Sequence, residues 1–94
     1  MADGSDPERV ERVAQLLREL LPGTEVTHRD PGGLGPVGFT ITMSKGAAIL
    51  RISWDRFQED QAQTEEFVHQ AVGRLSPGDS LLLTVDGTLE RFDD

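Results

Sequence analysis

The passage from 37 to 54 constrains this chain more than any other. Val37, Phe39, Ile41 and Met43 alternate with Gly38, Thr40, Thr42 and Ser44, and Ala48, Leu50, Ile52 and Trp54 alternate with Ala47, Ile49, Arg51 and Ser53. Successive side chains of a strand point to opposite faces, so two such runs in succession predict two strands, each with one apolar face. A two-residue turn at Lys45 and Gly46 would join them as a hairpin, with Val37 opposite Trp54, Phe39 opposite Ile52, Ile41 opposite Leu50 and Met43 opposite Ala48. Both apolar sets then share one face, an agreement that a one-residue slip would destroy. That face has to be covered by the rest of the chain.

Two helices are available to cover it. Asp6 followed by Pro7 is a helix start, because the Asp side chain can accept from free backbone N–H groups and proline costs nothing in the first turn. Val10, Val13, Ala14, Leu17, Leu20 and Leu21 then recur at helical spacing until Pro22 and Gly23. A second helix is predicted over 56–75, with Phe57, Thr64, Phe67, Val68, Ala71, Val72 and Leu75 on one arc and Ser76, Pro77 and Gly78 as its stop. Residues 24–29 alternate weakly, as in a short strand, and 30–36 form a glycine-rich loop. The run at 81–85 is apolar on both sides, as in an interior strand, and Asp86-Gly87 is a hairpin turn into a last strand at 88–92.

The predicted fold is therefore α+β, in the order α-β-β-β-α-β-β. An antiparallel or mixed five-stranded sheet carries both helices on one face. One small domain is expected over 1–94, with 1–5 and 93–94 disordered. An internal echo pairs Glu11, Val13, Gln15, Leu20, Pro22 and Gly23 with Glu66, Val68, Gln70, Leu75, Pro77 and Gly78. It fits either an ancestral duplication or two helices obeying the same stop chemistry.

Charge and composition narrow the function. Seventeen acidic residues against nine basic ones give a net charge of −8, which repels nucleic acid and anionic membranes. The acid collects at 55–66 and in the tail. The chain has no cysteine, so disulfides, thiolate metal sites and cysteine nucleophiles are excluded. No apolar run approaches the roughly 18 residues of a membrane span, and MADGSDPERV does not read as a signal peptide. A cytoplasmic protein is expected.

The motifs that resemble chemistry all have simpler structural readings. The loop Asp30 to Pro36 has the glycines of a phosphate cradle, but it runs into a strand and lacks both a helix N-terminus and a following Gly-Lys-Ser/Thr. His69 follows Glu65 and Glu66 at helical spacing, yet one helix supplies too few ligands for a metal. His28, beside Arg29 and Asp30, has no partner at a motif spacing. Ser44 and Lys45 are adjacent at a turn, where an exposed lysine stays protonated and is no base. Trp54 and Phe57 could line a pocket, but a chain this poor in aromatics needs both for its core. Asp55, Glu59 and Asp60 suit a helix N-terminus without a metal. No catalytic residue, cofactor or metal is predicted.

What remains is surface. If Leu81, Leu83 and Val85 face the helices, the opposite face shows Thr40, Thr42, Ile49, Arg51, Ser53, Leu82 and Thr84. Across the Asp86-Gly87 turn it would also show Leu89 and Arg91. Ile49, Leu82 and Leu89 are more aliphatic surface than solvation needs, which marks an interface. The expected function is a small, acidic, non-catalytic protein–protein interaction module: an adaptor, a chaperone-like protein or a regulatory subunit. It would form a homodimer through its sheet or hold a partner protein, which could be basic. Glu59, Asp60, Glu65 and Glu66 would choose that partner. In outline the element order is similar to secretion-chaperone-like domains, usually dimers that hold a partner chain, although their final helix is missing. One alternative is an acidic inhibitor of the immunity type, masking the basic active site of a nuclease or toxin. Another is a small-molecule-binding or enzymatic domain using the 30–36 loop and His28.

Overall fold

Apolar stripe, turn glycines and strand alternation produce the predicted order of elements. The computed structural model describes residues 7–29 and 35–91. Helix α1 (Pro7–Leu20) is followed by β1 (Glu25–Arg29), β2 (Val37–Met43) and β3 (Gly46–Ile52). A 3-10 helix (Trp54–Gln58), helix α2 (Gln61–Val72), β4 (Ser80–Leu83) and β5 (Leu89–Arg91) complete the chain. The five strands form one mixed sheet in the order β1-β2-β3-β4-β5. All neighbours are antiparallel except β3 and β4, which run parallel because the 3-10 helix and α2 carry the chain back across the sheet. The Asp6 cap, the disorder expected of 1–5 and 93–94, most of the predicted 30–36 loop and the last residue of the predicted final strand, Phe92, lie outside the described residues.

Burial follows the two periodicities. Val10, Val13, Ala14 and Leu17 of α1 and Val68 and Ala71 of α2 meet Val26, Val37, Phe39, Ile41, Leu50, Ile52 and Leu83 of the sheet in one core. All of these sheet residues lie on one face, so both helices cover the same side. The Pro-Gly part of the echo between the two halves corresponds to the same turn in both. Thr24 N–H donates to the Leu21 carbonyl (3.3 Å) and Asp79 N–H to the Ser76 carbonyl (2.9 Å). Each pair closes a turn with Pro second and Gly third, at φ +84° for Gly23 and +91° for Gly78.

Three expectations need correction. In the β2–β3 hairpin the turn is Ser44-Lys45, with Met43 opposite Gly46, Phe39 opposite Leu50 and Thr40 opposite Ile49. Neither Ser44 nor Lys45 has positive φ, and the positive value falls on Gly46, just past the turn. The pairing is displaced by two residues from the predicted one, and a displacement of two preserves the faces. Trp54 leaves the sheet for the 3-10 helix and packs beside Phe57, with ring centroids 6.4 Å apart.

The second correction concerns the last hairpin. Its loop has three residues, Val85, Asp86 and Gly87, so Leu83 pairs with Leu89 and Leu81 with Arg91. The third positions a break inside the predicted 56–75 helix. Glu59 is extended (φ −97°, ψ −169°) and Asp60 occupies the N-cap position of α2 at φ −58°, ψ 125°. The break turns Arg56 inward. Buried at 3% exposure, Arg56 donates through Nε to Thr64 Oγ1 (3.1 Å) and through Nη1 to the Val85 carbonyl (2.5 Å). Its guanidinium lies 5.1 Å from the centre of the Phe67 ring. In an unbroken helix Arg56 and Thr64 would stand about 12 Å apart along the axis.

Phe67 in turn packs against Gly87. A Cβ built on Gly87 would lie 2.5 to 2.8 Å from three atoms of that ring, and the glycine has φ +91°. Gly87→Ala is therefore expected to lower the unfolding free energy by about 2–4 kcal/mol, combining left-handed strain with overpacking. Asp86→Ala in the same exposed loop should stay within about 0.5 kcal/mol. Urea titration of the two variants checks both values.

Candidate functional site

With both helices on one side, no helix among the described residues lies over the other face of the sheet. Pairing sets its side chains in rows across the strands. One row runs Arg29, Gly38, Arg51, Leu82 and Glu90, and the next runs Thr27, Thr40, Ile49 and Ser80. Ile49, Arg51 and Leu82 are half-buried, while Arg29, Thr27, Thr40 and Thr42 are exposed. At the end of this face lies an open groove of about 600 Å³, lined by Thr27, His28, Arg29, Gly38, Thr40, Ile49 and Arg51 and edged by Gly35 and Pro36. Gly38 forms part of its floor, and a Cβ there would meet no atom within 4 Å among the described residues.

The structure divides the predicted interface residues into separate groups. Ile49, Arg51 and Leu82 stand together on the open face. Leu89 and Arg91 do not, because the three-residue loop flips the last strand relative to a two-residue one. Leu89 packs against the core, and Arg91 lies 3.7 Å from Asp79. Glu90 takes the place beside Leu82. Glu59, Asp60, Glu65 and Glu66 belong to the helix layer on the opposite side of the sheet. Glu65 is held by Arg12 (3.1 Å) and Gln61 (2.8 Å), joining α1 to α2, whereas Glu59, Asp60 and Glu66 are exposed.

The other candidate residues separate as well. The His28 ring lies 5.9 Å from the Phe39 ring, the core-facing partner opposite it, and the residue also borders the groove. Exposed His69 shares a shallow depression with Leu16, Glu65, Glu66 and Gln70. Among the described residues no three His, Asp or Glu side chains gather as a metal-holding group, and no helix is long and apolar enough to cross a membrane. Arg29 and Gly38 escaped the sequence reading because the mistaken register put Gly38 opposite Ser53. The true register was needed to align the two arginines on either side of it.

Comparison of the chain with protein-family models, curated proteins and solved structures finds no match. His69 has the features of a solvated helix-surface histidine, and His69→Gln is expected to change stability by no more than about 0.5 kcal/mol. Chemical denaturation with and without added zinc measures it, and wild type and variant should give the same curves in both.

Proposed function

We propose that this chain is a non-catalytic interaction module that docks a protein on its open sheet face. The module would serve as an adaptor, a chaperone-like protein or a regulatory subunit. One observation carries the reading: Ile49 and Leu82 sit side by side with Arg51 on the one broad face that no helix covers. Removing such aliphatic surface from water favours association by roughly 25 cal/mol per Å² before the costs of ordering are met. A second copy of the chain is one partner this face fits. A cytoplasmic setting belongs to the same proposal and rests on the cysteine-free composition.

The acidic residues take a different role from the one their number suggests. Sheet and helix layers pack about 10 Å apart, comparable with the Debye length of about 8 Å at physiological salt. Glu59, Asp60 and Glu66 therefore steer encounter from behind the interface and do not contact a partner docked on the sheet. The inhibitor reading would instead use those exposed carboxylates directly, and their clustering at the start of α2 is the observation that favours it.

The two readings respond to different substitutions. Ile49→Glu and Leu82→Gln are expected to weaken self-association, measured by analytical ultracentrifugation, or capture of the native partner, by about tenfold or more at every salt concentration. Joint neutralisation of Glu59, Asp60 and Glu66 should slow association with a basic partner chiefly at low salt. If the sheet-face variants bind like wild type while the neutralised variant loses its partner at physiological salt, the inhibitor reading replaces the sheet-face one.

A further inference from the structure

We infer that a second copy of this chain pairs with the outer edge of β1, antiparallel about Thr27, so that two five-stranded sheets join into one. The inference goes beyond the sheet-face reading, since it uses the edge and leaves the open face of each copy to a docked protein. β1 ends the sheet. Which of its main-chain groups point outward follows from hydrogen bonds farther in. Ile49 N–H donates to the Asp79 carbonyl (2.9 Å) and Gly78 N–H to the Ala47 carbonyl (2.8 Å), so Ala47 and Ile49 face β4, while Ala48 and Leu50 face β2. The main-chain groups of successive residues alternate sides. Carried through the pairing, that alternation turns Thr40 and Thr42 toward β1, and Glu25, Thr27 and Arg29 toward β2. Val26 and His28 therefore direct their N–H and C=O groups to the outer edge. The Arg18 guanidinium agrees with this direction, donating to the Val26 carbonyl (3.1 Å), whose oxygen has a second lone pair.

Charge selects the occupant and the register. Glu25 and Arg29 are exposed on either side of Thr27, and neither is ion-paired among the described residues. In an antiparallel pair centred on Thr27, Glu25 faces Arg29 of the second copy and Arg29 faces its Glu25. Val26 then stands opposite His28 of the second copy, and each such pair exchanges both backbone hydrogen bonds. Shifting one copy by a single residue sets outward groups against inward ones, and shifting it by two removes both charge pairs. Hydrogen bonding and charge thus agree on one alignment. The contact is isologous, so it closes at two copies.

An edge strand offers main-chain groups to any extended chain, and proteins blunt such edges with proline, bulges, short length or charge. β1 has five residues, paired with β2 without interruption, and contains neither proline nor glycine. Its guard is charge, and the order of Glu25 and Arg29 turns that guard into attraction for an antiparallel copy. The opposite edge differs. β5 has three residues, and an antiparallel copy centred on Glu90 would set that carboxylate against its own counterpart. The net charge of −8 opposes association of copies in general. Local complementarity of the kind at β1 is what offsets it.

The test uses the full chain, isotopically labelled, at rising concentration. Hydrogen exchange of the Val26 and His28 amides should slow in step with the dimer measured by analytical ultracentrifugation, while the Thr27 and Arg29 amides, bonded to β2, are protected throughout. Glu25→Arg and Arg29→Glu should each weaken the dimer roughly tenfold, because attractive cross-strand pairs become repulsive. The double variant carrying both changes should restore it, a rescue that damage to the fold would not give. His28→Pro removes an outward N–H and no β1–β2 bond, so it should abolish dimerisation while leaving the circular dichroism spectrum unchanged. A chain that stays monomeric at the concentrations of the exchange experiment overturns the inference. So does protection of Val26 and His28 already present in the dilute monomer, because the chain itself then covers the edge. Ile49→Glu separates the edge from the face. If Ile49→Glu dissociates the dimer and Glu25→Arg does not, self-association runs through the open face and the edge pairing falls.

Discussion

A buried guanidinium ties together the second half of this molecule. Arg56 has no carboxylate partner among the described residues. Its charge is met by the Thr64 hydroxyl, the Val85 carbonyl, the more distant Gln63 side chain (3.4 Å) and the face of Phe67. A charge removed from water is costly unless most of its donors are engaged, so these partners are bound to one another through it. Thr64 adds to the knot, because its hydroxyl also lies 3.1 Å from the Arg56 carbonyl and 3.0 Å from that of Asp60. The 3-10 helix, the first turns of α2 and the β4–β5 loop are thereby fixed to one centre. Since α2 is the crossover between β3 and β4, that centre also helps to hold the only parallel pair in the sheet.

The same use of arginine explains how an acidic chain can carry a basic groove. Arg9 and Arg18 on α1 donate to main-chain carbonyls of the 3-10 segment and of β1, and Arg12 neutralises Glu65. These cations hold together the helix layer and the sheet edge beneath it. Carboxylates that remain exposed there, Glu8, Glu11, Glu19, Glu59, Asp60 and Glu66, make that layer the acidic side of the molecule. On the sheet face the charges are sparse and separated, with Arg29 and Arg51 at one end and Glu25 and Glu90 at other corners. The acidic charge and the two arginines of the open face thus lie on opposite layers.

How far the sequence could be read depended on which symmetry of the strand an argument used. Faces follow from a period of two, and Val37, Phe39, Ile41, Ala48, Leu50 and Ile52 are all buried as the alternation requires. Register depends on turn geometry, which residue type specifies less tightly. Gly46 supplies its positive φ after the turn rather than within it, and the resulting two-residue displacement left every face intact. Gly87 likewise closes a three-residue loop, where a glycine in third place is as natural as one in second. There the displacement is one residue, so Leu89 and Arg91 changed sides. The break at Glu59 and Asp60 had no proline or glycine to announce it. It accompanies the inward turn of Arg56, a tertiary interaction that an arginine among acidic neighbours does not advertise.

Two glycines show how structural necessity can be told from a possible functional one. At Gly87 a side chain is forbidden twice, by a backbone angle that L residues disfavour and by a ring already occupying the space. The fold itself accounts for that glycine. At Gly38, near the start of β2, neither prohibition applies among the described residues, and β propensity favours a branched or aromatic residue in a strand paired on both sides. A larger residue there would cover sheet backbone and fill the gap between Arg29 and Arg51, which favours the isolated fold and closes the groove. The glycine thus gives up strand stability locally, and the feature it leaves open is a space flanked by two cations.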